Sequence, residues 1–451
     1  MNNEFSNKQI FAIGLMLFAL FLGAGNIIFP PFLGQQAGSN IWIAVAGFLV
    51  TGVGLPLLAV IAVGKVGNLQ TLAGRVHPVF GIVFTIIIYL AIGPFFGIPR
   101  TATVTFEVGV LPFLSESAAQ SFLPLAILSV IFFGVSAWLA LNPTKLVDRI
   151  GKIITPILLT VLVILVGKSF LSPLGPISNP AEAYETHSFF NGFIEGYLTM
   201  DTIGGLVFGI VIISAIKGLG ITKKEAVTSA VAKAGIIAAI GLALVYLSLT
   251  YIGATSVNEV GMLDNGGAIL SASTKILFGN VGSIILALTI TLACLTTSVG
   301  LISSCAQYFS QQVPAFSYKA IVFILAIFST IIANFGLSKL ISISLPVLSF
   351  IYPLAITLIV VSFFHKYFNG YSAVYAGSML AAGIFSLIDA LTAAGFNLGG
   401  ITEITSLLPL SAQGIGWLFP ALIGALIGFA YGKATEKVSQ TDRSMVDIDI
   451  D

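Results

Sequence analysis

Charge is what this chain has least of: 8% of its 451 residues are Asp, Glu, Lys or Arg, against about 25% in a soluble domain. So few charges cannot clothe a surface that meets water on every side. With 57% hydrophobic residues and a mean hydropathy of +1.05, the chain falls in the membrane class. The net charge of +1 supplies no field for nucleic acid or acidic partners. Long polar runs are missing too. None approaches the ~50 residues of a small independent domain, so residues 1–451 are expected to form one polytopic unit. Cysteine is scarce, and Cys294 and Cys305 share one expected helix, about 16 Å apart along its axis, too far to pair. Neither has metal-ligand spacing, so both read as small core side chains. A Gly-rich phosphate loop followed by Lys, a His/Cys metal cluster and a Ser/His/Asp constellation are not evident, which argues against an enzyme and implies no cofactor.

What is present is a succession of long apolar stretches. A window of about twenty residues finds about twelve membrane spans, centred near residues 21, 52, 92, 131, 160, 203, 240, 292, 326, 352, 382 and 422. The first is too long for a signal peptide and lacks a small-residue cleavage site. With the N-terminus inside, the inner segments collect Lys8, Lys65, Arg75, Lys145, Arg149, Lys152, Lys217, Lys223, Lys224, Lys233, Lys319, Lys366, Lys433, Lys437 and Arg443. Only Lys168, Lys275 and Lys339 fall clearly outside, so both termini are expected in the cytoplasm. The proline-rich stretch from Ser172 to Phe190 reads as an extracellular loop.

Span one contains LFLGAGNIIFPPF, Leu20 to Phe32. Two glycines each weaken a helix by about 1 kcal/mol relative to alanine, and the paired prolines Pro30 and Pro31 remove two amide donors. A break near mid-bilayer is expected. Unpaired backbone is tolerated at that depth only where it lines a polar site. The second half-helix is expected to start around Asn26 to Pro31, with the prolines in its first turn. Free amides of Gly23, Ala24, Gly25 and Asn26 would suit a carboxylate, and the carbonyls near Ala19 to Leu22 a small cation or an ammonium group. The alternative is a kink that serves helix packing alone.

Span six repeats the anomaly. Phe189 to Lys217 is too long for one straight crossing and carries Asp201, Thr202, Gly204 and Gly205 near its middle. Two broken helices five spans apart are what an inverted repeat predicts. The expected division is residues 9–171 for the first five-helix repeat, 189–366 for the second, 372–432 for two additional helices and 433–451 for a cytoplasmic tail. Asp201 is ionisable at bilayer depth and so marks a functional position: it could hold a cation or an amino group, or transfer a proton. Otherwise it caps the second half of span six through amides two or three residues on.

Span eight carries Thr296, Thr297, Ser298, Ser303 and Ser304, hard oxygen ligands that suit sodium, or hydroxyls bonded to their own helix. In span three Arg100 and Glu107 share a helical face. They could form a gate or orient a substrate group. The structural reading instead puts Arg100 on helix-end carbonyls freed by Pro94 and Pro99, and Glu107 near the outer surface.

Together GAGNIIFPP in span one, GPFFGIPRTATVTFE in span three and GYLTMDTIGGLVFG in span six resemble the branched-chain amino acid:cation symporters of bacteria, over Gly14 to about Lys433. The resemblance implies sodium-coupled uptake of leucine, isoleucine and valine through the plasma membrane. More distantly, the arrangement is similar to the leucine-transporter fold: an all-α polytopic membrane protein with a 5+5 inverted repeat, broken helices one and six, and here two further C-terminal helices. LTTS in span eight resembles the sodium-binding LTSS of that fold. This implies Na⁺ between the carbonyls of Ala19 and Leu22 and the hydroxyls of Thr296 and Thr297, with Asn26 a candidate ligand of a second cation. The substrate carboxylate would meet the amides of Gly23, Ala24, Gly25 and Asn26, and its ammonium group the carbonyls near Met200, Asp201 and Thr202. The rival expectation is a proton-coupled amino acid carrier with Asp201 as the titrating group.

Overall fold

The computed structural model describes residues 6–142 and 155–435. Lys145, Arg149, Lys152, Lys437 and Arg443, five of the cations assigned to the inner side, and most of the 433–451 tail lie outside the described residues. Among the described residues no β-strand occurs. A bilayer supplies no water to backbone polar groups, and helices satisfy them within a single segment.

Apolar helix occupies each of the twelve expected positions. Span one is Asn7–Phe21 and Ala24–Ala37, and span two runs from Ile41–Leu49 through a π turn into Leu55–Val66. Span three is Pro78–Leu90, a π turn and Gly97–Gly109; spans four and five are Leu123–Ala140 and Thr155–Leu171. Span six is Ser188–Leu198 and Asp201–Gly218, followed by Lys224–Val260, Gly266–Gln312, Tyr318–Ala333 and Leu337–Phe363 as spans seven to ten. Ser372–Ala393 and Leu418–Thr435 close the series as spans eleven and twelve, packed on each other. The stretch expected as a loop after span five is partly folded. Glu182–Thr186 is helical, and the amides of Ser39 and Ala181 tie it to span one through the carbonyls of Ser178 and Gln36.

Lipid offers no hydrophobic drive between helices, so contact depends on how closely backbones approach. Glycine permits that approach at two equivalent places. A Cβ on Gly34 of span one would run into the Thr250 carbonyl of span seven, and one on Gly253 of span seven into the Pro31 carbonyl of span one. The same reciprocity joins span two to span six, where Gly47 faces the Phe189 carbonyl and Gly192 the Ala44 carbonyl. Gly253→Val is therefore expected to cost at least about 1–3 kcal/mol of stability, read as a lower melting temperature of the detergent-purified protein. An unchanged melt would mean that this crossing can widen freely.

One expectation about helix geometry is corrected. Pro30 and Pro31 are the seventh and eighth residues of the second half of span one, not part of its first turn. The helix starts earlier, at Ala24, because the Asn26 side chain accepts from the Gly23 amide and caps it there (3.1 Å). The prolines consequently deprive the carbonyls of Asn26 and Ile27 of their helical donors. The helix of span eight, Gly266–Gln312, is interrupted at Gly279, φ 62°.

Candidate functional site

The two breaks meet at one cavity. In span one the helix ends at Phe21 and resumes at Ala24, and in span six it ends at Leu198 and resumes at Asp201. Two helix starts, with unpaired amides and positive dipole ends, and two helix ends, with unpaired carbonyls, thus converge. Gly25 is what lets them touch: a Cβ there would lie 3.0 Å from both Cα and O of Thr199. At the second break Met200 takes φ 66°, a left-handed conformation uncommon for a residue with a side chain and typical of functional sites.

Ala24, Gly25, Asn26, Met200 and Asp201 all line the cavity, whereas Gly23 and Thr202 do not. Gly23 has its amide occupied by Asn26. Thr202 turns away and donates to the Thr51 carbonyl in the π turn of span two (3.1 Å). The cavity volume is about 30 Å³, against about 300–1,000 Å³ for typical ligand pockets, so its walls must part before a ligand can enter. Phe21, Ile92, Phe208 and Leu301 form the apolar part of the wall, with Phe21 and Phe208 packed edge to face at 5.5 Å.

Asp201 does not cap its own helix. Its Oδ2 accepts from Asn26 Nδ2 at 2.5 Å and from the Tyr246 hydroxyl at 2.6 Å, and Asn26 Nδ2 also contacts the Tyr246 oxygen. All three side chains are buried. Charge-assisted bonds of this kind are about twice as strong as neutral ones, and here they bind spans one, six and seven through a single carboxylate oxygen. With Oδ1 on the Gly23 amide and Nδ2 on Asp201, the Asn26 side chain already serves both breaks. The sequence offered no sign of Tyr246, which sits inside an unbroken 37-residue helix, where a tyrosine reads equally well as packing.

The span-eight hydroxyls reach the end of the first half of span one. Thr296 Oγ1 donates to the Ala19 carbonyl and to Ala293 of its own helix, both at 2.8 Å. Thr297 Oγ1 lies 2.8 Å from the Leu20 carbonyl and 3.5 Å from that of Ala19. The structure thus brings Ala19, Thr296 and Thr297 together, and the Leu20 carbonyl is the second one in contact. Ala19 and Leu20 belong to the last helical turn, whose carbonyls have no amide to accept from. Ser298 and Ser304 are buried without a hydrogen-bond partner among the described residues.

Arg100 also lines the cavity. It does bond a helix-end carbonyl, but that of Leu198 in span six (2.6 Å), not one freed by the prolines of its own span. The π turn at Ala91–Phe95 absorbs the disturbance in span three, with Gly93 out of helical conformation and resting on Cys305 of span eight. Glu107 is remote from the central cavity, in a separate cavity of about 720 Å³ with Lys275.

Comparison with known proteins places this geometry. Residues 6–435 match the model of a family described as "Branched-chain amino acid transport protein". The chain is 51% identical over 431 residues to the branched-chain amino acid permease BraB of Bacillus subtilis, covering 95% of this chain and 96% of the relative. It is 43% identical over 435 residues to the branched-chain amino acid permease BrnQ of Escherichia coli, covering 96% and 98%. Among solved structures, Mhp1, a nucleobase-cation-symport-1 family transporter in a closed conformation, superposes with a TM-score of 0.63 at 14% identity, over 93% of this chain and 91% of that one. MhsT in complex with L-phenylalanine superposes at 0.56 and 17% identity, over 93% and 98%. At such identities these two likenesses establish the fold, the leucine-transporter-like arrangement of an all-α polytopic membrane protein.

Proposed function

The chain belongs to the family of branched-chain amino acid transport proteins, and we propose from that premise that it carries leucine, isoleucine and valine into the cell together with Na⁺ by alternating access. The relatives are named permeases and carriers, so transport, not catalysis, is the activity assigned. The observation that carries the reading is the meeting of two broken helices at one cavity beside the hydroxyls of Thr296 and Thr297. The substrate carboxylate takes the amides that open the second half of span one at Ala24, Gly25 and Asn26, the Gly23 amide being held by the Asn26 side chain. The ammonium group takes the span-six break at Met200 and Asp201, which line the cavity, with Thr202 behind them on the π turn of span two. The branched side chain rests on Phe21, Ile92, Phe208 and Leu301.

Na⁺ is held by the carbonyls of Ala19 and Leu22 with the hydroxyls of Thr296 and Thr297, and the contact with Leu20 adds a third carbonyl in reach. For the ion to enter, both hydroxyl protons turn aside so that the oxygens become ligands. Na⁺ binding stabilises the outward-open arrangement, substrate binding permits closure, and both leave inward. The reciprocal glycine contacts of span one with seven and of span six with two support a division into repeats at 9–171 and 189–366. Both termini are assigned to the cytoplasm on the distribution of the basic residues, and the plasma membrane is what the family resemblance implies.

A second reading is favoured by one observation, the buried carboxylate of Asp201 at the cavity: a proton-coupled carrier in which Asp201 titrates. The two separate in proteoliposomes at constant pH. Leucine uptake is expected to fall at least about tenfold when external Na⁺ is replaced by choline, as loss of an ion bound by several oxygens implies. Undiminished uptake in choline would transfer the assignment to the proton-coupled carrier.

A further inference from the structure

Among the described residues Arg100 is a buried cation with no anionic group bonded to it. It is 2% exposed on the wall of the central cavity, and a guanidinium keeps its charge in a protein and offers five N–H donors in a planar fork. The described partners are all neutral. Nη1 donates to the Leu198 carbonyl at 2.6 Å, Nη2 to the Ser344 hydroxyl at 3.1 Å, and Cζ lies 5.7 Å from the centre of the Phe29 ring. Nε is buried with no hydrogen-bond partner. A charge at membrane depth without a counter-charge is among the most costly groups to keep, and such groups line substrate paths. Asp201 shares the cavity, but Asn26 and Tyr246 already hold its carboxylate.

We propose that Arg100 is the charge partner of the substrate carboxylate. The proposal rests on the reading of the cavity as the site of a branched-chain amino acid and adds the residue that makes it select for a free acid. The edge of the fork formed by Nε and Nη2 is the one that can take two carboxylate oxygens side by side. Nε is unused, and Ser344 has an alternative in its own bond to the Ile341 carbonyl (2.9 Å). The carboxylate then lies between this edge and the first amides of the second half of span one, which Phe29 of the same half-helix brings up to Arg100. A purely structural role would have Arg100 latch span three to the span-six break and to span ten, with no regard to the ligand.

The experiment compares L-leucine with L-leucinamide, which keeps the side chain and ammonium group and lacks the acid. Affinities are measured by calorimetry on the purified full chain in saturating Na⁺, for the wild type, Arg100→Gln and Arg100→Lys. The wild type is expected to prefer leucine at least about 100-fold, as a site with an otherwise unpaired charge should. In Arg100→Gln leucine affinity falls by about that factor while leucinamide changes little, so the preference collapses. Arg100→Lys, which keeps the charge without the fork, loses about tenfold for leucine. The proposal is overturned if the wild type does not discriminate, or if Arg100→Gln keeps the wild-type preference because both ligands weaken equally or neither does. Should Arg100→Gln fail to fold, wild-type leucine affinity in Arg100→Lys overturns it. A wild type that binds no branched-chain amino acid overturns the transport reading itself, which distinguishes the two failures.

Discussion

Gly25→Val is expected to abolish leucine binding in a protein that still folds. Gly25 is the second residue of the half-helix that starts at Ala24, and its amide is one of those with no carbonyl to bond within the helix. Even a bare Cβ there would stand 3.0 Å from Thr199 Cα and O and 3.4 Å from the Leu198 carbonyl. Valine adds two methyl groups beyond that point, and its neighbours are backbone atoms that cannot rotate aside. The substitution therefore forces the two breaks apart and screens the amides from the cavity. The loss should reach at least about 100-fold in leucine Kd, equivalent to about 2.7 kcal/mol. Gly25→Ala, with only the Cβ to accommodate, should lose about tenfold or less. Calorimetry on monodisperse protein measures both, and wild-type leucine affinity in Gly25→Val would sink the site built from backbone.

That prediction was within reach of the sequence, because glycine, asparagine and proline in the middle of an apolar stretch are anomalies whatever surrounds them. The same holds for Asp201, a charge where charges are expensive. What was not legible is how these anomalies are closed off. Tyr246 joins Asn26 and Asp201 across three helices, yet nothing in its own 37-residue helix departs from an ordinary apolar span. Arg100 was visible as a charge, but its partner could not be found by spacing along span three, because Leu198 is 98 residues away. The prolines were misplaced for a local reason. Their usual position at a helix start was outweighed by the Asn26 cap on Gly23, which begins the helix at Ala24, ahead of the whole expected range. Ordinary-looking glycines such as Gly34 and Gly253 proved to set the helix crossings, and only the partner backbone reveals that.

Thr297→Ala should raise the Na⁺ concentration needed for half-maximal leucine uptake, and this follows from how the hydroxyl is placed. Thr297 is 9% exposed at the cavity edge, 2.8 Å from the Leu20 carbonyl, and it stands against the first break so closely that a Cβ on Gly23 would meet its Oγ1 at 2.6 Å. Its oxygen therefore faces the gap between spans one and eight where the last-turn carbonyls of span one are free. A small hard cation there draws on carbonyl and hydroxyl oxygens together, and alanine removes one ligand while leaving the carbonyls in place. Loss of one neutral oxygen should shift the half-maximal Na⁺ concentration about tenfold, or about 1.4 kcal/mol. Leucine affinity at saturating Na⁺ should stay within about twofold of the wild type, since the carboxylate contacts are untouched. Thr297→Ser retains the hydroxyl and should keep the wild-type Na⁺ dependence, which separates ligation from packing of the methyl group. Thr296→Ala removes a hydroxyl shared between the Ala19 and Ala293 carbonyls and is expected to shift the Na⁺ dependence in the same direction. If well-expressed Thr296→Ala and Thr297→Ala variants both show wild-type Na⁺ dependence in proteoliposome uptake, the ion does not bind between spans one and eight.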